Sequence, residues 1–242
     1  MDINIIFEDD SILVIDKPSG LTVNKAETTK GQETVQEWLL LRHPGVRRVV
    51  QSRDEEEFQE KSGIVHRLDK DTSGVLIIAK TFEAYLKLKE QFQNRETEKK
   101  YIALVHGIVD PAVGTINAPI DRSPFNRTHF GIFSGGREAE TTYKTMTSCQ
   151  RGSEKYTLLE VFPKTGRTHQ IRVHMKYINH PIVADPIYGG RKQSKQDREF
   201  CPRLFLHAAS LTLKHPKSGV NVTYTSDLPE ALKNVINLLC GE

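Results

Sequence analysis

Five consecutive apolar residues, Val75-Leu76-Ile77-Ile78-Ala79, constrain the fold of this 242-residue chain more than any other stretch. A run this short and this apolar reads as a buried strand. Just before it, Asp69 to Gly74 is rich in turn formers, and Ile64-Val65 is a second short apolar run. Asp69 therefore falls where a strand gives way to a loop. Strands on each side can fix a reactive side chain while the loop exposes it, a common setting for catalytic groups. Taken alone, an Asp-x-Asp-Thr-Ser-Gly loop is more often an Asx-turn, in which Asp69 or Asp71 only bonds the backbone that follows.

Other segments fill in the class. Ile12 to Ile15 is strand-like and ends at the Lys17-Pro18-Ser19-Gly20 turn. Thr34 to Arg42 has helical spacing, His43 to Ser62 reads as a loop, and Thr81 N-caps a helix to about Asn94 with Ala84, Tyr85, Leu88 and Phe92 on its inner stripe. Strands are predicted at Lys100 to Val105, Glu138 to Thr147, Tyr156 to Pro163, Leu204 to His207, Leu211 to Lys214 and Val220 to Tyr224. Thr168 to Tyr177 is predicted helical, with Ile171, Met175 and Ile178 on one side and His169, Arg172 and Lys176 on the other. A last helix runs from Pro229 to Leu239, introduced by Asp227, and Tyr188 to Pro202 reads as a mobile surface loop. Many strands with few interleaved helices and no regular β-α-β alternation predict an α+β fold, with a mixed, mostly antiparallel central sheet and flanking helices. One domain over 1–242 is the simplest partition.

Composition excludes several classes. No apolar run approaches the roughly 20 residues that span a bilayer, and Met1-Asp2-Ile3-Asn4 lacks the basic and apolar regions of a secretory signal. Cys149, Cys201 and Cys240 are odd in number and far apart, which argues against a disulfide framework and a zinc site. A cytoplasmic monomer is the expectation. Net charge is +3, but Val161 to Val183 holds four Lys/Arg and no acid, a cationic stretch suited to structured RNA. Asp54 to Glu60 is an acidic run, expected to be solvated.

Several motifs occur together and in order: Lys17-Pro18-Ser19-Gly20-Leu21, His66 to Gly74, Lys100-Tyr101-Ile102-Ala103-Leu104-Val105-His106-Gly107, and Thr165-Gly166-Arg167-Thr168-His169-Gln170-Ile171-Arg172. His180-Pro181-Ile182-Val183, Asp185-Pro186-Ile187-Tyr188-Gly189 and Leu206-His207-Ala208 follow. Across nearly the whole chain this set resembles the pseudouridine synthases of the large-subunit ribosomal type. The resemblance implies that family's fold, with an active-site cleft, and the isomerisation of uridine to pseudouridine in ribosomal or transfer RNA. It implies no cofactor and no metal. The absence of a Gly-rich phosphate loop, a dinucleotide fingerprint or a His/Cys ligand cluster agrees with that. Many relatives carry an N-terminal RNA-binding module of the S4 type, and none is expected here.

By the same resemblance Asp69 is the essential carboxylate. Three routes stay open for it: attack at C1′, attack at uracil C6, or removal of a sugar proton. Each needs Asp69 ionised, and a buried carboxylate resists ionisation unless a cation lies within about 4 to 6 Å. Arg167 is that cation by resemblance, able to hold a carboxylate through two hydrogen bonds. Tyr101 is implied to stack on the uracil, Arg67 to fill the gap left by the extruded nucleotide, and Ile171 to wall the uracil pocket. Arg172 and Lys176 are expected to meet the RNA backbone. His66 and His169 are read as structural or phosphate-facing rather than as metal ligands, since neither belongs to an H-E-x-x-H pattern. Asn179 and Ala184 stand where the family has glycine. The first change is mild, and the second suggests a different backbone path near Asp185. A silent RNA-binding assembly factor and a two-carboxylate glycosidase are the competing readings. The latter lacks a convincing second carboxylate.

Overall fold

The computed structural model describes residues 2–25, 31–42, 52–126 and 128–241. The chain divides into two compact units, Met1–Glu98 with Ser210–Ser226, and Lys99–Ala209 with Asp227–Glu242.

The first unit runs β1 (Asn4–Glu8), β2 (Ile12–Lys17), α1 (Val35–Arg42), α2 (Arg53–Glu60), β3 (Ser73–Ala79) and α3 (Phe82–Gln93). β2 pairs antiparallel with β1 on one side and with β3 on the other, Val14 opposite Ile77. All seven residues of β3 are buried, as its unbroken apolar run requires. Ile12, Val14, Ile77, Tyr85 and Leu88 meet in one core cluster. α3 begins where its sequence signals put it, with the Thr81 hydroxyl accepting the Ala84 N–H at 3.2 Å. Such a cap contributes about 1 kcal/mol.

The predicted loop from His43 to Ser62 needs correction. Residues 43–51 lie outside the described set, and the rest forms α2. Ser52 caps it through Glu55 N–H, and Asp54, Glu55 and Glu56 fill its first turn. Acids there are stabilised by the positive end of the helix dipole, so the acidic run starts a helix instead of decorating a loop. Phe58 buries the inner side, and Glu57 bonds Lys61 and Lys89, which pull its carboxyl down to about 2.

The second unit contains β4 (Glu98–His106), β5 (Val113–Asn117), β6 (Ile120–Arg122), β7 (Phe130–Ile132), β8 (Glu140–Arg151), β9 (Glu154–Pro163), α4 (Gln170–Tyr177) and α5 (Arg191–Asp197). β10 (Leu206–Lys214) starts here and ends in the first unit, where it pairs antiparallel with β11 (Asn221–Thr225), and α6 (Glu230–Cys240) closes the chain. The order β4-β9-β8-β5 is antiparallel throughout, and β6 and β7 form a separate hairpin. Antiparallel strands with covering helices in both units make the chain α+β. Leu104, Leu159, Met175, Phe205 and Leu232 meet in the main core of the second unit.

Three readings change here. The two strands predicted at Leu204 to Lys214 are one, because Ala208-Ala209-Ser210 contains no breaker. The loop predicted from Tyr188 to Pro202 contains α5. Cys149 and Cys240 are disulfide-bonded, Cα atoms 4.9 Å apart, linking β8 to the end of α6 across 91 residues of sequence. Pairing one couple and leaving Cys201 buried and free reconciles the odd count. Ala184 adopts φ 58, in the left-handed region that favours glycine. Asn179, at φ 63, does the same. Among the described residues no helix is long and apolar enough to cross a membrane.

Candidate active site

Asp69 is half-buried, between the buried Leu68 and Thr72. Its loop is fastened by backbone, not by chance packing. Thr72 N–H reaches Asp69 O at 3.2 Å, closing a tight turn, and Gly20 N–H reaches Lys70 O at 2.9 Å. Ser19 Oγ donates to Asp71 O at 2.7 Å. The strongest tie is Lys17, fully buried at the end of β2. Its ammonium donates to the carbonyls of Pro18 and Leu21 at 2.8 Å and of Lys70 at 3.1 Å. An ammonium has three protons, and a buried charge is tolerated only when such donors are satisfied. The Lys-Pro-Ser-Gly turn thus serves to hold the carbonyl next to Asp69.

His66 is structural. Its Nε2 accepts the Ile77 N–H of β3 at 3.0 Å, and its ring stacks on Phe92 with centroids 4.5 Å apart. Accepting at Nε2 leaves the proton of the neutral ring on Nδ1. Arg67, the next residue, is exposed.

In the second unit Tyr101 sits on β4 opposite Val161 of β9, with part of its ring packed against the main core and part accessible. Arg167 is half-buried just ahead of α4, and its Nε donates to Glu138 O at 2.9 Å. Its backbone N–H is held by Gln170 Oε1 at 3.0 Å. Gln170 is a clamp that the sequence reading did not single out. Its Oε1 also accepts from Thr165 Oγ1 at 2.7 Å, and its Nε2 donates to Glu140 O and Thr141 Oγ1, both at 2.9 Å. Two acceptor and two donor bonds exhaust the buried amide. One side chain therefore joins the turn bearing Arg167 to the start of β8. The available signal was a polar residue at the first position of the helix, one turn ahead of His174.

His169 has φ 56 and no side-chain capping bond, so α4 starts at Gln170, two residues later than predicted. Its Nδ1 bonds the Tyr188 hydroxyl at 2.8 Å, and that hydroxyl accepts the Phe130 N–H at 3.0 Å. Deeper in α4, His174 is fully buried, its Nδ1 bonded to Thr141 Oγ1 at 2.9 Å and its Nε2 to Ala118 O at 3.0 Å. A carbonyl can only accept, so Nε2 donates and Nδ1 accepts. Burial pushes the pKa of His174 below its usual value, against a smaller opposing effect of the Ala118 bond.

Arg172 departs from expectation. Only 3% exposed, it grips Asp185 through two hydrogen bonds, Nε to Oδ2 at 2.8 Å and Nη2 to Oδ1 at 2.9 Å. Asp185 in turn accepts the N–H groups of Ile187 and Tyr188. A guanidinium committed inside to a buried carboxylate is not offered to phosphate, so Arg172 is removed from the RNA contacts. Ile171 lies in the main core, and Lys176 is exposed in the last turn of α4. Arg67 and Asp69 thus belong to the first unit, and Tyr101, Arg167, Ile171, Arg172 and Lys176 to the second.

The sequence profile of the family described as RNA pseudouridylate synthase matches residues 11–177. The chain belongs to the RNA pseudouridine synthase family. It is 40% identical over 99% of its length to the ribosomal large subunit pseudouridine synthase D of Pseudomonas aeruginosa, covering 72% of that protein. Against the enzyme of the same name from Salmonella typhimurium it is 38% identical, covering 98% of this chain and 70% of the other. Human RNA pseudouridylate synthase domain containing 1 superposes with a TM-score of 0.73 at 28% identity, over 96% of this chain and 87% of that one. Human RNA pseudouridylate synthase domain containing 4 shares the fold, with a TM-score of 0.71 over 97% and 92% at 22% identity. The chain is therefore an isomerase of the pseudouridine synthase type, acting on RNA.

Proposed function

We propose that residues 1–242 work as one catalytic domain that converts particular uridines of large-subunit ribosomal RNA to pseudouridine. The 40% identity to an enzyme named for that RNA, over 99% of the chain, carries the reading. The reaction breaks the N1–C1′ bond, turns the uracil, forms a C5–C1′ bond, and balances the proton lost from C5 with one taken up at N1. It is redox-neutral and needs no group donor, cofactor or metal. Asp69 opens it, Arg167 is the cation that favours its ionised form, and Tyr101 stacks on the base. Arg67 replaces the extruded nucleotide, Ile171 lines the uracil pocket, and Lys176 meets phosphate. A cytoplasmic monomer that binds its RNA directly completes the proposal.

Unmodified large-subunit ribosomal RNA and transfer RNA transcripts carrying tritium at uracil C5 test it. The parent protein is expected to release tritium from the ribosomal transcript, and Asp69→Asn to lower the rate by at least about 10³-fold, a loss of roughly 4 kcal/mol of transition-state stabilisation. Release from transfer RNA alone would move the substrate to that class. Equal rates for Asp69→Asn and parent would sink the role of Asp69.

A further inference from the structure

Helix α5 presents two unlike faces. Inward, Ser194 and Asp197 are buried. The Asp197 carboxylate meets the His106 ring at 3.0 Å and accepts the Ala184 N–H at 2.8 Å and the Gln193 amide at 3.2 Å. Burial opposes its charge, but these hydrogen bonds outweigh it and hold the carboxyl below its usual range. Its backbone carbonyl accepts the N–H groups of Phe200 and Cys201. Outward, Arg191, Lys192 and Lys195 are exposed, and the described ion pairs include none of them. The one acid of the helix is thus spent inside, and its outer face carries cations alone.

A short charged helix is usually a solvated face, but this one works against itself. Like charges at i and i+4, here Arg191 and Lys195, destabilise a helix, and seven residues are too few to be stable alone. The buried Asp197 bonds hold in place a face that intrinsic preference would disperse. Its location is also informative. Arg191 follows Tyr188 by three residues, so its Cα lies within about 11 Å of that of Tyr188. The Tyr188 hydroxyl bonds His169, two residues after Arg167. The cationic face is therefore tied, through Tyr188 and His169, to the segment that bears the motif arginine.

We propose that the outer face of α5, Arg191, Lys192 and Lys195, docks the phosphate backbone of the RNA substrate beside the turn bearing Arg167. This rests on the reading of Arg167 as part of the active site, and the occupant follows from charge: a polyanion is the complement of an unpaired cationic face in an RNA-modifying enzyme.

The test compares the parent with a combined Arg191→Gln, Lys192→Gln, Lys195→Gln variant on an unmodified large-subunit ribosomal RNA transcript. Filter binding across a salt series and steady-state tritium release are the readouts. Each lost phosphate contact lowers the slope of log K against log salt by about 0.7 to 0.9, so the variant is expected to lose about two units. KM is expected to rise about tenfold or more at physiological salt, with kcat within twofold. Equal slopes and equal KM overturn the proposal, as does a lower kcat at unchanged KM. If the triple variant does not fold, Lys195→Gln alone is expected to lower the slope by about 0.7 to 0.9, and an unchanged slope overturns the proposal. Should the parent bind RNA without isomerising it, the isomerase reading fails, and the slope comparison still decides for or against the docking face.

Discussion

Gly63 shows how closely single residues are fitted near the motif that carries Asp69. Its φ is 76, its N–H bonds Phe58 O, and its carbonyl accepts the Ala79 N–H at 2.9 Å. A Cβ placed there would meet Ala79 O at 1.9 Å, a backbone atom that cannot swing aside. Gly63→Ala combines that clash with a left-handed penalty of about 1 to 2 kcal/mol. A total loss of about 2 to 4 kcal/mol is expected, read as a lower urea midpoint at unchanged m-value. A midpoint within experimental error of the parent's would show that the Gly63–Ala79 approach is not tight in solution. Ala184 is the counterpart, a residue with a Cβ in left-handed backbone, held by the bond from its N–H to Asp197. At this scale the turn that carries Asp69 was legible, because Asp69 to Gly74 is dense in turn formers and the chain closes there from Thr72 N–H to Asp69 O. Arg172 was misread because its partner Asp185 lies 13 residues on. Helical periodicity placed Arg172 opposite Ile171 and had no means of showing a carboxylate waiting on that side.

Among elements, α4 is tied most heavily by polar side chains, with Gln170 and His174 both reaching Thr141 of β8. His174 makes this tether pH-sensitive in a definite direction. Its pKa in the folded protein lies below the usual 6.5 because burial disfavours the charged ring. The unfolded chain therefore takes up a proton first as pH falls. The stability contributed by neutral His174 is complete above about pH 6.5 and is lost as pH falls toward the lower folded value, at up to about 1.4 kcal/mol per pH unit. His174→Gln removes the titration and keeps both bonds, since an amide can donate to Ala118 O and accept from Thr141. Between pH 7 and pH 5 the variant is expected to lose less stability than the parent in urea unfolding. Parallel losses would exclude His174 as the source. Elements with their own boundary signals, such as α3 under Thr81 or β3 in its apolar run, were legible in the sequence. α2 and α5 were not, because both are short and polar. One is fixed by a cap and its first-turn acids, the other by the distant His106.

At the scale of the whole molecule, the Cys149–Cys240 link closes a 91-residue span, and both ends lie in the second unit. By chain entropy alone, closing a loop of that length stabilises the folded state by about 4 to 5 kcal/mol relative to the open dithiol. α6 does not depend on it for docking, since Leu232, Val235 and Leu239 are already buried. The cytoplasm keeps most thiols reduced, so the location proposed for this enzyme favours the open form. Oxidised and reduced protein should therefore share one fold and one activity and differ in stability. A melting temperature about 10 to 20 °C lower in excess dithiothreitol is expected, with kcat on the RNA transcript unchanged. Cys201 supplies the control. Buried and with its thiol pushed up to about 11, it should resist alkylation in the native protein in either state. Iodoacetamide followed by mass spectrometry should then find no label on oxidised native protein, and label Cys240, the more exposed end of the link, after reduction. Label on Cys240 without reductant would show the bond open as isolated. An unchanged melting temperature on reduction would mean that packing of α6 alone restrains the chain as fully as the covalent link.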